Sequence, residues 1–436
     1  GLLIWAEIPS WRTFVPKTRV YPNVLDDALQ ARVRQTLEEM VREHFNHPSL
    51  MVWTIVNEDW GTMLGLREED RVWLSGMVDY CRELDPTRLV VDNSACGNPW
   101  GRNVHVKTDL NDYHMYNNIP EKTHEWAAFI EEFSMRPGWL FAQDGTAFPR
   151  GDEPLILSEF GNWGMPKLAE MTRNGGEPSW FDLGPWWSSW DGEPGFPEGV
   201  QKRFHTLGLG KIWADYDTFA AASQRLQFAA LKYEIETMRR FPTVQGYVIT
   251  ELTDIYWESN GLMDFYRQPK VYHNEFSQFN AEDVIVPQLA RWAYWDDETL
   301  SIRLFTSHYS AKDWQGALFQ SNFNDETVTG LLEPTAPRGD VRALGEYDWQ
   351  VAPVETTSVQ TLSAQVTSAA GETLAQAYSP VLVLPSEYRH AAYSQPINIF
   401  DSCVGGELSP SKLAADLWQL GYQTDEGEGK LCIADA

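Results

Sequence analysis

Short apolar runs alternate with long amphipathic segments through about the first 280 residues, the pattern of repeated βα units. The spacing predicts a buried strand over Gly1–Ala6 and a helix over Asp26–Phe45. On that helix Leu29, Val33, Leu37, Met40, Val41 and Phe45 share one face, and Arg34, Glu38, Glu39 and Arg42 lie on the other. Asp26 or Asp27 caps its start and Pro48 ends it. Strands follow at Met51–Val56, Leu89–Val91, Asp112–Tyr116, Leu155–Leu157 and Val244–Thr250. Helices are expected over Glu68–Leu84, from Pro120 through Phe133, and over Thr218–Arg240. Six parallel strands separated by helices fit a (β/α)8 barrel lacking its first two strands. A doubly wound sheet would need a Gly-rich phosphate fingerprint after the first strand, and none is there.

Past Val286 the period changes. Leu300, Ile302 and Leu304 alternate with Ser301 and Arg303, and Gly316–Gln320, Val328–Leu331 and Leu362–Val366 continue as short strands. A β-sandwich is expected here. After Pro396 come a strand at Ile397–Phe400, a helix from Ser409 to Gly421 and a strand at Leu431–Ile433, which read as one βαβ unit. The expected fold is therefore α/β. Residues 1–285 form an N-terminally truncated catalytic barrel, 286–390 a β-sandwich, and 391–436 the truncated start of an α/β domain.

With 43% apolar residues among 436, the chain can bury a sizeable core. Its net charge of -28 argues against nucleic acid and anionic membranes as partners. No apolar run reaches the ~18 residues of a membrane span. Cys81, Cys96, Cys403 and Cys432 form no CxxC pair. His44 and His47 match HExxH poorly, and neither a GxSxG elbow nor a P-loop occurs.

Three stretches carry chemistry. In His47–Gly61 an apolar strand delivers Asn57 and Glu58 to its C-terminal end, the active face of a (β/α)8 barrel, with Trp60 beside them. In Pro154–Gly164 a second strand ends in Glu159, followed by glycines and Trp163. A helix cap or an ion pair would explain either Glu alone. Two on one barrel face suit glycosidic cleavage, one as acid and one as nucleophile. In Asn111–Tyr116 the two-residue period puts Asp112, His114 and Tyr116 on one face, where His114 can bind a sugar hydroxyl and Tyr116 can steady the nucleophile. The alternative is a satisfied buried polar cluster.

These stretches resemble glycoside hydrolase family 2, the group of β-galactosidases, β-glucuronidases and β-mannosidases. The likeness extends to Gly1–Pro9, Asp85-Pro86-Thr87-Arg88 and the segment from Gly246–Thr250 to Asn260–Asp264, and covers roughly the first 270 residues. It implies Glu58 as acid/base at the end of the fourth barrel strand and Glu159 as nucleophile at the end of the seventh. Asn57 would touch the hydroxyl beside the anomeric carbon, and a carbohydrate would be the partner. The implied reaction retains configuration at a β-linked sugar and calls for no cofactor or metal. Close carboxylates imply that Glu58 keeps its proton where Glu159 has lost its own. Transglycosylation and a non-catalytic carbohydrate-binding barrel are the alternatives.

About fifty residues separate Glu159 from the helix at Thr218, far beyond an ordinary βα loop. They hold Trp163, Trp180, Trp186, Trp187, Trp190 and Trp213. One or two are expected against the sugar and the rest in packing. Trp257 is a further stacking candidate.

Overall fold

The computed structural model describes residues 2–9, 25–98, 101–168, 200–255, 258–333, 336–390, 397–401 and 431–435. The chain divides into two compact units, Gly1–Phe276 and Ser277–Ala436.

The first unit is a TIM-barrel-like α/β domain. Strands β1 (Ile4–Glu7), β2 (Leu50–Asn57), β3 (Leu89–Asn98), β5 (Asn111–His114), β6 (Leu155–Phe160) and β7 (Val244–Ile249) lie side by side in that order. Every neighbouring pair among them is parallel. The two-residue β4 (Gly101–Arg102) turns back antiparallel on the end of β3. Helices α1 (Asp27–His44), α2 (Glu68–Leu84), α3 (Thr123–Ser134), α4 (Val200–Thr206) and α5 (Tyr216–Met238) fall between strands.

The sequence dictates these elements locally. The Asp26 side chain accepts a 2.8 Å bond from the Leu29 amide and so caps α1. Val33, Leu37 and Val41 bury one stripe of that helix. They join Leu74, Met77, Val78 and Cys81 of α2 and Trp53 and Ile55 of β2 in a single apolar cluster. The opposite face of β2 is buried too: Val52 packs with Val91 and Leu110, and Trp5 and Ile156 close on them. Burial on both faces is why β2 reads as a continuous apolar run. Pro120 does not open α3 as expected. It sits in a turn closed by the Lys122 amide on the Asn118 carbonyl at 2.8 Å, and the helix starts at Thr123.

The second unit carries antiparallel sheets. β8 (Asp283–Leu289), β10 (Thr299–His308) and β13 (Asp340–Gln350) form one. β11 (Leu318–Phe323), β12 (Glu326–Leu331), β14 (Ser358–Thr367) and β15 (Thr373–Leu384) form another, with β9 (Ala293–Trp295) added parallel to β15. Leu300, Ile302 and Leu304 point into a shared core with Phe319, Leu362, Ala377 and Val381, while Ser301 and Arg303 are exposed. The switch to period two thus marks a real change of architecture. β16 (Ile397–Asp401) and β17 (Leu431–Asp435) pair in parallel. The helix expected between them lies outside the described residues.

Candidate active site

The site forms where the parallel strands end. Glu58 follows β2 directly, His114 ends β5, Tyr116 comes two residues later, and Glu159 is the second-last residue of β6. A ring nitrogen of His114 and one carboxylate oxygen each from Glu58 and Glu159 lie within 4.8 Å of one another. In a flat sheet β2 and β6 would stand about 14 Å apart, three spacings of ~4.8 Å. Side chains stand roughly perpendicular to a sheet, so only an inward curl lets these groups meet.

The backbone is shaped for this meeting. Glu58 and Asp59 both adopt left-handed φ, 50° and 59°. Non-glycine residues rarely do so, and where they do the surroundings must hold them. Here the Glu58 amide donates to the Ser94 carbonyl and the Asp59 amide to Asn93 Oδ1, both at 2.9 Å. The Asp59 carboxylate in turn accepts from the Leu64 amide at 2.9 Å and from the Thr62 hydroxyl. After β6, Gly161 has φ 155°, and a Cβ there would stand 2.5 Å from the Thr250 carbonyl oxygen. Only glycine lets the end of β6 lie this close to the end of β7.

His114 bridges the two carboxylates. Its Nδ1 is 2.9 Å from Glu58 Oε1 and 3.3 Å from Glu159 Oε2. The Tyr116 hydroxyl donates to Glu159 Oε2 at 2.9 Å. His114 is buried, with 2% of its side chain exposed, against 23% for Glu58 and 30% for Glu159. Both carboxylates therefore open to solvent above a closed floor.

Electrostatics separates the pair. Burial pushes the Glu58 carboxyl up, but the His114 bond and charge, with bonds from Trp60 and Cys96, outweigh it and hold Glu58 below the usual range. Burial and the Glu58 charge raise Glu159, with His114 and Tyr116 only partly opposing. Burial works against charge on His114, but the carboxylates around it raise its pKa. The expected order of protonation is thus reversed in the unliganded arrangement. The His114 ring nitrogen lies closer to Glu58, 2.9 Å, than to Glu159, 3.3 Å.

A second polar layer lies beneath. His105 is fully buried, with Nδ1 2.8 Å from Asp92 Oδ1 and Nε2 2.8 Å from the Asp112 carbonyl oxygen. Burial opposes its charge, but the Asp92 carboxylate prevails and lifts it to about 9. The Ser158 hydroxyl donates to Asp112 Oδ2 at 2.6 Å, tying β5 to β6 beneath the strand ends. Of the face that the two-residue period defines, Asp112 is therefore part of the support, and His114 and Tyr116 reach the carboxylates.

The other expected site residues divide. Asn57 lies beside Glu58, its buried Oδ1 without a hydrogen-bond partner among the described residues. The Trp60 side chain bonds Glu58. Trp163 is 44% exposed, its ring centroid 6.3 Å from that of Tyr116, so it stands at the rim beside the nucleophile candidate. Trp213 instead packs edge-on against Phe219, 5.0 Å between centroids, in an apolar cluster with Val200, Phe204 and Tyr216. Trp180, Trp186, Trp187, Trp190 and Trp257 lie outside the described residues.

Two residues at this rim escaped the sequence reading. Glu7 ends β1, and Glu251 comes two residues after the end of β7. Each follows an apolar strand, as Glu58 and Glu159 do: Ile4-Trp5-Ala6-Glu7 and Val248-Ile249-Thr250-Glu251. Glu7 keeps an exposed edge, but the protein packed around it and the Glu159 charge push its carboxyl up to about 7. Burial, Glu258 and Asp254 do the same for Glu251, also to about 7. Nearby, Lys270 bonds Asp254 at 2.9 Å, the Gly164 carbonyl at 2.7 Å and the Ser259 carbonyl at 2.9 Å, fastening the segments that follow β6 and β7.

A curled parallel sheet with carboxylates at the C-terminal ends of its strands has the layout of a TIM-barrel-like domain, in which that end carries the site. Residues 13–172 match the family model "Glycosyl hydrolases family 2, TIM barrel domain". No curated protein matches the sequence. Among solved structures it is similar to Bacteroides uniformis beta-glucuronidase 2, at 15% identity and TM-score 0.38 over 91% of this chain and 40% of that one. An uncultured Clostridium sp. beta-glucuronidase gives 15% identity and TM-score 0.39 over 63% and 40%. Parabacteroides merdae beta-glucuronidase gives 13% and 0.36 over 88% and 41%. These TM-scores carry no argument about substrate. The chain spans about 40% of the length of these proteins. Among the described residues no helix is long and apolar enough to cross a membrane.

Proposed function

We propose that the protein hydrolyses a β-linked glycoside with retention of configuration. Glu159 attacks the anomeric carbon while Glu58 protonates the leaving oxygen. Glu58 then takes a proton from the water that releases the sugar. The observation that carries this reading is the approach of the two carboxylates to within 4.8 Å across a curled sheet. Retaining pairs stand about 5–5.5 Å apart, whereas inverting pairs need about 6.5–9.5 Å to admit a water between them.

Tyr116 fits the same scheme. Its hydroxyl steadies Glu159 Oε2 and leaves the other oxygen to form the bond to carbon. His114 holds the Glu58 carboxyl below its usual range. An aglycone oxygen beside Glu58 replaces the imidazole contact and excludes water, and both changes raise the carboxyl. Asn57 and Trp163 would contact the sugar, with Trp60 holding Glu58. The first unit is read as part of a (β/α)8 barrel, and the second as a β-sandwich followed by a β-α-β segment. The domain limits at residues 285 and 390 belong to the same reading.

The test is a panel of aryl β-glycosides, followed by azide rescue. Turnover of at least one sugar is expected, and Glu58→Ala with added azide should yield the β-azide. An α-azide from that variant, or inversion by the unaltered protein, contradicts the assignment.

A further inference from the structure

Side chains hold the backbone of the segment after β6 at successive peptide groups. The Asn162 carbonyl accepts from Gln227 Nε2 at 2.9 Å, the Gly164 carbonyl from Lys270 Nζ at 2.7 Å and the Met165 carbonyl from Gln224 Nε2 at 2.7 Å. The Gly164 amide donates to the Ser259 carbonyl at 2.9 Å and the Met165 amide to Ser223 Oγ at 2.8 Å. A Cβ on Gly164 would stand 2.4 Å from Gln227 Oε1 and 2.9 Å from Gln224 Cα, so this backbone lies directly against α5.

Lys270 joins these contacts. Its side chain is 1% exposed, and its ammonium also donates to Asp254 Oδ1 and the Ser259 carbonyl, both at 2.9 Å, and to Gln227 Oε1 at 3.2 Å. One buried cation therefore ties the segment after β6 to the segment after β7 and to the helix behind them. Taking an ammonium out of water is costly and is offset only by hydrogen bonding of this completeness. Within residues 161–168 Trp163 alone is exposed. Its ring centroid is 6.3 Å from that of Tyr116, whose hydroxyl bonds Glu159. The clamp thus fixes the backbone on both sides of a large apolar ring that faces solvent beside the carboxylates. A contact group fixed in advance loses little entropy when a ligand arrives.

Building on the reading of Trp163 as a sugar contact, we propose that Lys270 is a positioning residue that presents the Trp163 ring as a preset platform for the apolar C–H face of a pyranose. Lys270 acts through the Gly164 carbonyl and touches no ligand itself. Its loss should therefore weaken binding only as far as Trp163 contributes to binding.

The test uses the intact chain with Lys270→Met and Asp254→Asn together. Methionine keeps the aliphatic stem. Asparagine leaves no buried carboxylate without its counter-ion and keeps Oδ1 for the Gly261 amide. Hydrogen exchange of the ligand-free protein should speed up in residues 161–165 and stay unchanged in Leu50–Asn57. Unchanged exchange in 161–165 overturns the proposal, and equal acceleration of both regions marks a general role in folding and overturns it too. Titration calorimetry then follows isofagomine and its galacto-configured epimer, using whichever binds more tightly. The paired substitution should weaken binding about tenfold, the cost of ordering a loosened side chain. Trp163→Ala should weaken it about tenfold as well. The three substitutions together should bind as Trp163→Ala alone does. Additive losses, or no binding of either azasugar to the unaltered chain, overturn the proposal. Turnover separates it from the reading it rests on. If the losses coincide as expected but no aryl glycoside is cleaved, the hydrolase assignment fails and the platform stands. If aryl glycosides are cleaved with a KM that the paired substitution leaves unchanged, the hydrolase assignment stands and the platform fails.

Discussion

Glu58 and Glu159 are the same residue type at the same end of the same sheet, yet their surroundings drive them apart. The end of β2 is bent into left-handed backbone and aims Glu58 at the imidazole of His114, which stabilises its anion. The end of β6 gives Glu159 a tyrosine hydroxyl and a longer contact with the same imidazole, too little to offset burial. Sheet position makes a carboxylate available. The neighbour across the sheet decides where the proton rests.

Removing each group in turn should expose that asymmetry. Glu159→Ala removes the proposed nucleophile and should lower kcat on every substrate by on the order of 10⁴-fold or more. Glu58→Ala should cost about 10²–10⁴-fold on substrates with poor leaving groups and far less in the first step for dinitrophenyl glycosides. Equal losses on good and poor leaving groups would erase the distinction between the two ends. Steady-state kinetics on a leaving-group series reads both.

Tyr116→Phe deletes one hydrogen bond to a charged group while keeping the ring. A kcat loss of about 10–100-fold is expected, with KM nearly unchanged. A loss confined to KM would mean that the hydroxyl serves the sugar and not Glu159.

His114→Gln has the smallest expected rate effect and the most distinctive pH effect. His114 lowers both carboxyls, so its removal raises both. Glu159 must be ionised to attack, so the acid limb of the kcat/KM profile moves to higher pH. Glu58 must be protonated to act as acid, so the basic limb moves the same way. A limb that moves to lower pH would show that His114 does not hold these groups as the geometry indicates.

Much of this was legible in the sequence, for identifiable reasons. The parallel strands read clearly because βα alternation and two-sided burial leave a strong signature, as in Leu50–Asn57. Glu58 and Glu159 stood out because each follows such a run. Glu7 and Glu251 follow apolar runs as well, but their place beside the pair depends on β1 pairing with β2 and β7 with β6, which no local pattern encodes. The proton order could not be read, because it depends on a 2.9 Å contact between residues 56 positions apart. The tryptophan-rich insertion shows the limit of composition as a guide. Trp163 stands at the rim and Trp213 is packing, yet both sit in the same aromatic stretch.

The assignment of Glu159 as nucleophile can be tested by trapping. The protein is incubated with 2-deoxy-2-fluoro β-glycosides of the sugar that the aryl panel identifies, each carrying a dinitrophenyl leaving group. It is then digested and mapped by mass spectrometry. One fluoro-sugar equivalent should be found on the peptide containing Leu155–Phe160, attached to Glu159. A label on Glu58, or turnover of the fluoro-sugar with no labelled peptide, would contradict the account.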